Sequence, residues 1–370
     1  MSVAPIPLVD LQAQHRQIAD EVARGFARVI EQTAFILGDE VARFEAAFAR
    51  FTQVPHCIGV ANGTEALELA VRALGIGPGD EVIVPANTFI ATALAVARAG
   101  ATPVLVDCDP VHHLIDVGRI AAAIGPRSKA IMPVHLYGQM APMEAIEALA
   151  RAHGLHVIED AAQAQGATRH GRSAGSWGVA AGTSFYPGKN LGAYGDAGAV
   201  LTTSDAVAQR IRALRNYGSD VKYHHPETGF NSRLDTLQAV VLNAKLARLA
   251  EWNAARRVAA RRYDELLAGW EGVTLPATLP GNEHIWHLYV IRVPQRDAVL
   301  RQLHAVGIGA GVHYPVPIHL QGAFGHLGHR PGDFPVTEAA ARDILSLPLF
   351  PEITAAQQER VVTQLRAAPA

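Results

Sequence analysis

One lysine, Lys189, stands where an apolar run of the sequence gives way to a loop rich in glycine. The segment reads TSFYPGKNLGAYGDAGAV, and Lys189 follows the apolar part through Pro187 and Gly188. The glycines that come after it, Gly192 among them, allow close approach of the backbone. A lone lysine is ordinarily a solvated surface residue, whereas a desolvated lysine has a lowered pKa, which suits an amine that forms an imine. Lys189 is therefore a candidate nucleophile.

Two adjacent carboxylates, Glu159 and Asp160, close another apolar run in the segment HVIEDAAQA. A carboxylate at the carboxyl end of a buried strand needs a cationic or hydrogen-bonding partner, because burying an unpaired charge is costly. A protonated pyridine nitrogen would serve as that partner. The alternative is that Asp160 caps a following helix.

A third segment, GVANGTEALELAVRAL, places Gly63 and Thr64 at the start of an amphipathic helix. Free backbone N–H groups and the helix dipole favour an anion at this position, although Thr64 as a plain N-cap is the alternative. An anion seat, an isolated carboxylate and a desolvated lysine are together the three groups that a pyridoxal phosphate site requires.

Short apolar runs alternate with helical segments between about residues 55 and 250, and this alternation predicts the fold class. Near-continuous apolar strands separated by helices indicate an α/β fold with a mainly parallel central sheet and helices on both faces. Ligands bind beyond the carboxyl ends of the strands in such sheets. The predicted strands lie in the runs 81–86, 102–109, 129–138, 156–163, 182–187 and 197–204.

The remainder of the chain predicts a second, smaller domain. A stretch from 236 to 270 lacks proline and is expected to form one long helix, with Arg256, Arg257, Arg261 and Arg262 on a face that is solvated or at a subunit contact. An α+β pattern follows, with strands at 287–293 and 309–315, a helix near 296–306 and a terminal helix from about Thr354. We predict a large domain over residues 1–250, which includes an N-terminal helical segment, and a small C-terminal domain over residues 251–370.

Composition argues against several classes of protein. A net charge of -2 over 370 residues gives no field for nucleic acid. Two cysteines, Cys57 and Cys108, do not make a disulfide scaffold or a paired-cysteine zinc site, and the spacing of His284 and His287 is not that of metal ligands. No signal segment and no long uncharged apolar run is present, so we expect a cytoplasmic protein without a membrane span or a bound metal.

The three groups, in this chain order, resemble those of the fold-type-I pyridoxal-phosphate enzymes called the DegT/DnrJ/EryC1/StrS sugar aminotransferases. The resemblance extends from PLVDLQ (7–12) to the terminal helix. It implies a pyridoxal-phosphate-dependent transaminase in which Lys189, in FYPGKNLGAYGDAGA, binds the cofactor covalently and Asp160, in EDAAQA, pairs with the pyridine nitrogen. Family members with His in place of the lysine are dehydratases, and the presence of Lys189 argues against that branch.

The resemblance also assigns further contacts to the cofactor. Position 165 differs from the family pattern, because the family commonly has His there and this chain has Gln165. The resemblance therefore does not define that wall of the pocket. Asn231, in GFNSRLDTLQA, matches an Asn that reaches the phosphate from a neighbouring subunit, so the resemblance implies a homodimer with shared active sites. The other cofactor-binding positions are Gly63, Thr64, Glu65 and Ser184 at the phosphate, and Phe89 and Gln163 on the two sides of the ring.

The expected reaction moves an amino group from L-glutamate to a keto-sugar carried by a nucleotide. Lys189 acts as the base while Asp160 keeps the ring nitrogen protonated, and two half-reactions give ping-pong kinetics. A non-enzymatic regulator or sugar-binding protein on the same fold is the alternative from another class. Another pyridoxal-phosphate chemistry, such as elimination, is a second alternative.

Two segments, 215–235 and 311–321, resemble the branch of the family that acts on 3-keto sugars. They favour dTDP-3-keto-6-deoxyhexose as the substrate and dTDP-3-amino-3,6-dideoxyhexose as the product, in deoxysugar, O-antigen or glycan biosynthesis. A UDP-linked 3-keto uronate and a 4-keto nucleotide sugar are the competing substrates, and the loops alternatively serve only packing and dimer contact. The candidate substrate-binding residues are Tyr186, Lys222, Tyr223, His224, Tyr314 and His319.

Overall fold

The computed structural model describes residues 4–368 of the chain and has a seven-stranded sheet at its centre. Its spatial order is β1-β9-β8-β5-β4-β2-β3, and β9 is antiparallel to both of its neighbours while the other pairs are parallel. The predicted α/β class with a mainly parallel sheet is therefore confirmed. The strands of this sheet are β1 His56–Val60, β2 Glu81–Pro85, β3 Thr102–Val106, β4 Ser128–Ile131, β5 His156–Asp160, β8 Ala180–Ser184 and β9 Gly198–Thr202.

Each of the six predicted apolar runs contains or overlaps one of these strands, and β1 is the strand that the runs did not include. Five further strands among residues 4–368 lie outside the central sheet. They are β6 Thr168–Arg169, β7 Arg172–Ser173, β10 Asn282–Glu283, β11 Tyr289–Arg292 and β12 Ile344–Leu347.

Helices cover both faces of the sheet. Alternate strand residues point to opposite faces, so Val82 and Val84 join one apolar cluster and Ile83 joins another. The helices are α1 Leu11–Arg16, α2 Ala19–Gln32, α3 Asp39–Thr52, α4 Gly63–Ala73, α5 Ile90–Arg98, α6 Val117–Ala123, α7 Met143–Ala152, α8 Asp205–Leu214, α9 Thr236–Leu246, α10 Leu249–Leu267, α11 Arg296–Ala305, α12 Pro335–Asp343 and α13 Ala355–Arg366. Short 3-10 turns occupy Leu136–Gly138, Ile318–Leu320 and Gly322–Leu327.

The single long helix predicted over 236–270 is wrong, because the chain breaks into α9 and α10 at Ala247 and Arg248. Neither proline nor glycine causes the break. The two helices pack on different partners: α9 lies against α2 and α3, and α10 lies against α13. Tertiary packing therefore overrides a locally continuous helical pattern.

Arg256 on α10 is buried, so its expected solvation is also wrong. Its guanidinium donates to the carbonyl of Leu349 at 2.9 Å and to that of Trp286 at 3.2 Å. Desolvation lowers the pKa of Arg256 to about 10. Arg257 and Arg262 are partly exposed and pair with Glu283 and Glu359. Backbone carbonyl groups therefore accept from Nη1 of this buried guanidinium.

A second apolar core forms around α10, α11, α13 and the antiparallel pair β11–β12. The strand predicted at 309–315 is wrong, since this segment makes only one isolated bridge, from Gly311 to Ser346. The terminal helix is confirmed, and Thr354 caps it in a capping box with Gln357. Ile6 packs in this second core, although it lies in the predicted large domain. The division at residue 250 stays a prediction. Among residues 4–368, no helix combines the length and apolar character needed to cross a membrane.

Candidate active site

Two neighbouring strands of the central sheet carry the predicted carboxylate and the predicted amine. Asp160 is the last residue of β5, and its backbone lies opposite Gly182 of β8 in the parallel pair. The chain leaves β8 after Ser184 and turns through a loop, in which the N–H of Lys189 donates to the carbonyl of Tyr186 at 2.8 Å. Asp160 and Lys189 therefore meet at the carboxyl edge of the sheet, where α/β folds bind ligands.

The carboxylate of Asp160 is buried and accepts two hydrogen bonds. Thr92 on α5 donates its hydroxyl to Oδ2 at 2.8 Å, and the N–H of Ala162 donates to Oδ1 at 3.1 Å. Desolvation raises the pKa of Asp160 above its usual range, against the effect of these donors and of Lys189. A cationic N–H group beside this carboxylate would offset the cost of its burial.

The amine of Lys189 has a pKa lowered to about 8, chiefly by desolvation, and the charge of Asp160 acts in the opposite direction. Two histidines that the sequence had not indicated as site residues, His287 and His313, also lie within reach of this charge. Burial lowers the pKa of both rings, and Lys189 lowers it further. His287 is held by Asn190, the residue after Lys189, through a hydrogen bond of 3.2 Å.

The start of α4 forms the predicted anion seat. Asn62 is the N-cap, since its side-chain oxygen accepts from the N–H of Glu65 at 2.9 Å, so the reading of Thr64 as the N-cap is wrong. The N–H groups of Gly63 and Thr64 have no acceptor within residues 4–368. A Cβ at Gly63 would lie 2.5 Å from the Cβ of Ser184, which brings two of the predicted phosphate positions into contact. Glu65 itself directs its carboxylate towards Arg98, with 4.0 Å between the charged atoms.

Gln163 belongs to a chain of contacts that forms one wall of the cleft. Its side-chain oxygen accepts from the N–H of Tyr137 at 2.6 Å, and its amide nitrogen donates to the hydroxyl of Tyr314 at 3.1 Å. The ring of Tyr314 packs on that of the half-exposed Phe89, with 5.1 Å between their centroids. Tyr137 in turn donates its hydroxyl to the carbonyl of His313 at 2.5 Å. Phe89 and Gln163 are thus joined through Tyr314.

The departure at Gln165 has a structural explanation. This buried side chain donates to the hydroxyl of Thr183 and to the carbonyl of Ser184, both at 2.9 Å. Its backbone carbonyl accepts from Asn253 on α10 at 2.9 Å. Gln165 therefore fixes the end of β8, from which the Lys189 loop departs.

Several predicted residues lie on the surface. Tyr186 is exposed beside Lys189, whereas the loop that carries Lys222, Tyr223 and His224 projects into solvent. The ammonium of Lys222 lies 5.1 Å from the ring centroid of Tyr223, a neighbour in the same loop. Asn231 is exposed as well, as a residue that serves a neighbouring subunit would be.

His319 lies apart from these groups, because its side chain is buried in a 3-10 turn. Its Nε2 lies 3.0 Å from the carboxylate of Glu338, and its ring packs on Phe334. Glu338 thus pairs with Nε2 of His319, whereas the buried Nδ1 has no hydrogen-bond partner among residues 4–368, and the assignment of His319 to substrate binding stays a prediction. His284 is also buried, stacked on Trp286. No cluster of three potential metal ligands occurs in the described part of the chain.

Comparison with known proteins places this geometry in one family. The profile of the DegT/DnrJ/EryC1/StrS aminotransferase family matches residues 16–366. The chain is 46% identical to the dTDP-3-amino-3,4,6-trideoxy-alpha-D-glucose transaminase of Streptomyces venezuelae, over 98% of this chain and 95% of that protein. It is 48% identical to the UDP-N-acetyl-3-dehydro-alpha-D-glucosamine 3-aminotransferase of Acidithiobacillus ferrooxidans, over 98% and 97%.

Solved structures agree with this relationship. The crystal structure of S. venezuelae DesV in complex with a ketimine intermediate superposes with a TM-score of 0.96 at 46% identity, and the match covers 99% of this chain and 98% of that one. The crystal structure of NtdA from Bacillus subtilis with bound cofactor PMP has a TM-score of 0.92 at 31% identity, covering 99% and 86%.

The arrangement of side chains fits pyridoxal 5'-phosphate as the cofactor. Two free N–H groups at the start of α4 suit a phosphate, and the buried carboxylate of Asp160 suits a protonated ring nitrogen. The amine of Lys189, with its lowered pKa, suits a covalent bond to an aldehyde. The chain is an enzyme that uses this cofactor, and it belongs to the DegT/DnrJ/EryC1/StrS aminotransferase family.

Proposed function

We propose that this enzyme transfers the amino group of L-glutamate to carbon 3 of a dTDP-linked 3-keto-6-deoxyhexose, giving dTDP-3-amino-3,6-dideoxyhexose. The proposal includes action in the cytoplasm, within the biosynthesis of a deoxysugar. The observation that carries it is the cleft in which the charge of Asp160 acts on both the amine of Lys189 and the hydroxyl of Tyr314. A ketone held there meets both a base and a hydroxyl donor.

The names of the relatives support carbon 3 more strongly than they support one nucleotide. The transaminases of Streptomyces venezuelae and Aneurinibacillus thermoaerophilus, both 46% identical, are named for dTDP-linked 3-amino sugars. Relatives at 48% and 43% identity are named for UDP-linked sugars with a 3-dehydro or 3-oxo group. The second of these, from Pseudomonas aeruginosa, acts on a glucuronate, which would require a further cation for the sugar carboxylate. The resemblance of segments 215–235 and 311–321 to the 3-keto branch supports carbon 3, and the choice of dTDP over UDP is the part of the proposal that the panel of substrates tests.

The proposed cofactor contacts follow from the positions of the residues around Lys189. Gly63, Thr64 and Ser184 would hold the phosphate, while Glu65 contributes through its position in the first turn of α4. Asp160 would accept a hydrogen bond from the ring nitrogen, with Phe89 and Gln163 beside the ring. Asn231 would reach the phosphate of the partner subunit, which makes the active unit a homodimer.

The proposed mechanism assigns most of the proton movement to Lys189. Bound pyridoxal phosphate supplies an electron sink that stabilises negative charge on the carbon that bears the amino group. The neutral amine of Lys189 takes a proton from that carbon of glutamate and delivers one to carbon 3 of the sugar, which sets the configuration of the new amine. Asp160 holds the proton-bearing ring nitrogen throughout. Tyr186, Tyr314 and, from the exposed loop, Lys222, Tyr223 and His224 would orient the sugar and its diphosphate.

The alternative from another class is a non-enzymatic regulator, and one relative carries such a name: a "Pleiotropic regulatory protein" of Geobacillus stearothermophilus is 48% identical over 97% of both chains. The presence of both Lys189 and Asp160 in one cleft favours the enzyme. Glutamate added to the purified holoenzyme should bleach its visible absorbance band as the amine form of the cofactor accumulates. A binding protein or an elimination enzyme would give no stable amine form.

The substrate is tested by incubating the holoenzyme and glutamate with matched nucleotide sugars. The panel contains dTDP-linked 3-keto and 4-keto 6-deoxyhexoses and UDP-linked 3-keto sugars with and without a C6 carboxylate, and mass spectrometry identifies the amino products. We expect the dTDP-linked 3-keto sugar to have the highest kcat/KM. Amination of only the 4-keto compound would refute the regiochemistry, and preference for a UDP-linked 3-keto sugar would refute the nucleotide.

A further inference from the structure

The carboxylate of Asp160 lies at the end of a chain of two hydroxyl groups. Thr92 donates to Oδ2 of Asp160 across 2.8 Å, and the hydroxyl oxygens of Thr88 and Thr92 lie 3.0 Å apart. A threonine hydroxyl has a single hydrogen to donate. Because Thr92 gives its hydrogen to the carboxylate, Thr88 must be the donor to Thr92. The chain therefore has one direction, from Thr88 through Thr92 to Asp160.

The two threonines are enclosed by protein. The exposed fraction is 0% for Thr92 and 4% for Thr88. A side chain without exposed surface makes no contact with a cofactor that lies in the cleft. The hydroxyl of Thr92 therefore acts on the reaction only through the group that it contacts, which is the carboxylate of Asp160.

The direction of the chain favours the ionised form of Asp160. An ionised carboxylate only accepts hydrogen bonds, whereas a protonated carboxyl group also has a hydrogen that needs an acceptor. Oδ2 accepts from Thr92 and Oδ1 accepts from the N–H of Ala162. Burial raises the pKa of Asp160, and the hydrogen bond from Thr92 is the largest of the effects that oppose this rise. The bond from Thr88 polarises the Thr92 hydroxyl and makes it a stronger donor.

The side chain and the backbone of Asp160 are fixed by different parts of the sheet edge. Its N–H donates to the carbonyl of Pro133 at 2.9 Å, and its carbonyl accepts from the N–H of His135 at 3.0 Å. These contacts come from the segment after β4. Thr92 lies in the first turn of α5, where its N–H donates to the carbonyl of Phe89 at 3.2 Å. The turn that carries Phe89 thus also sets the position of the Asp160 carboxylate.

We propose that Thr92, supported by Thr88, is a positioning residue for the aminotransferase reaction: its hydroxyl holds the ionised carboxylate of Asp160 in place to accept from the ring nitrogen of the cofactor. Without this hydroxyl the carboxylate has no side-chain donor among residues 4–368, and it holds a protonated ring nitrogen less tightly. The inference rests on the proposed pairing of Asp160 with that nitrogen.

The test compares two aldehydes that differ at one ring position. Pyridoxal phosphate has the ring nitrogen, whereas deazapyridoxal phosphate has a C–H group in its place and cannot pair with Asp160. Absorbance titration of the full-length apoenzyme gives the Kd of each aldehyde, and the ratio of the two values reports the pairing. We expect wild type to prefer pyridoxal phosphate and Thr92→Val to lower this preference by about tenfold, because the lost hydrogen bond is charge-assisted. Thr92→Ser should retain the preference.

Thr52→Val is the matched control for the loss of a buried hydroxyl. Thr52 is 2% exposed, and its hydroxyl donates to the carbonyl of Phe48 within α3 at 2.8 Å. This substitution should leave the ratio of the two Kd values unaltered. A merely structural role of Thr92 would weaken both aldehydes equally in Thr92→Val, and that result would overturn the proposal.

Asp160→Asn separates this inference from the role of Asp160 itself. This substitution removes the charge and should abolish most of the preference, and Thr92→Val added to it should lower the preference no further, because no carboxylate is left to hold. A further fall in the double variant would contradict the proposal. Absence of any preference in wild type would refute the pairing of Asp160 with the ring nitrogen, whereas a preference that survives Thr92→Val would refute the role of Thr92 alone.

Thr88→Val provides a second variant if Thr92→Val does not fold. It leaves the bond between Thr92 and Asp160 in place and removes only the group that polarises it, so the preference should fall by about threefold. An unaltered ratio in a folded Thr88→Val protein would show that the chain of hydroxyl groups does not act on Asp160.

Discussion

The side-chain amide of Gln163 donates a hydrogen bond to the hydroxyl of Tyr314 across 3.1 Å. Gln163 follows strand β5 of the central sheet, whereas Tyr314 lies in the loop after α11, so this bond joins the two parts of the chain. Tyr314 packs on Phe89 at the same time. One tyrosine therefore fixes the position of both residues that we expect beside the cofactor ring.

Replacing Tyr314 with Phe keeps the ring contact and removes the hydroxyl that accepts from Gln163. Because Gln163 is buried, its amide is left without that acceptor, and we expect the free energy of unfolding to fall by about 1–3 kcal/mol. Urea denaturation of the apoenzyme measures the change. Tyr223→Phe is the control, since Tyr223 is 80% exposed, and it should leave stability unaltered. Equal stability of the two variants would show that the bond makes no contribution in solution.

The lowered pKa of Lys189 predicts how cofactor capture depends on pH. Only the neutral amine bonds to an aldehyde, so the rate at which apoenzyme captures pyridoxal phosphate should rise with a midpoint at about 8, below the ordinary lysine value of 10.5. Stopped-flow absorbance measures this rate.

Asp160→Asn is the matched variant for this titration. The charge of Asp160 raises the pKa of Lys189, so its removal should move the midpoint to lower pH. The same substitution should stabilise the apoenzyme at neutral pH. The pKa of Asp160 is raised in the folded protein, so the folded state is favoured at low pH, where Asp160 is protonated. This stabilisation is lost as the pH rises past the pKa that Asp160 has in the unfolded chain. A midpoint near that of free lysine in both proteins would contradict the desolvation of Lys189.

The contact between Gly63 and Ser184 predicts that a methyl group is not tolerated in the anion seat. A Cβ at Gly63 would lie 2.5 Å from the Cβ of Ser184, so Gly63→Ala must displace one of the two segments. We expect the affinity for pyridoxal phosphate to fall by about tenfold or more. Gly77→Ala is the control, because its Cβ would meet no atom closer than 3.7 Å. Similar absorbance titrations for both variants would place the phosphate elsewhere.

Asn231 tests whether two subunits share each site. Lys189→Ala and Asn231→Ala are each expected to be inactive alone, and mixing them should restore activity through hybrid dimers that have one intact site. Random exchange gives at most about a quarter of the wild-type sites. Absence of any gain after verified subunit exchange, or full activity in a monomer, would argue against shared sites.

The sequence predicted the groups that chemistry constrains most tightly. Lys189, Asp160 and Gly63 were identified because strand, carboxylate and glycine patterns are local, and the structure places the first two at the same sheet edge. The strand β1 was not identified, and the break between α9 and α10 was not expected, because long-range packing decides both.

The histidines near Lys189 could not be predicted from local sequence patterns. His287 and His313 approach Lys189 only through the fold, and nothing in their immediate neighbourhood distinguishes them from His319, which is buried against Glu338. Arg256 was expected on a solvated face because it belongs to a basic run, yet carbonyl groups from two distant segments satisfy it in the interior. Such partners are visible only in three dimensions.

Replacement of Lys189 by Ala, compared with replacement of a second buried lysine, tests most directly the claim that Lys189 binds the cofactor and catalyses transamination. Lys245 on α9 is buried and also has a pKa lowered to about 8, but Glu352 is the charge that acts on it, and Asp160 is not. We expect Lys189→Ala to lose the covalent cofactor band and at least about a thousandfold of its turnover with glutamate and keto-sugar, while Lys245→Met retains both. Transamination by Lys189→Ala at a rate near that of wild type would contradict the account.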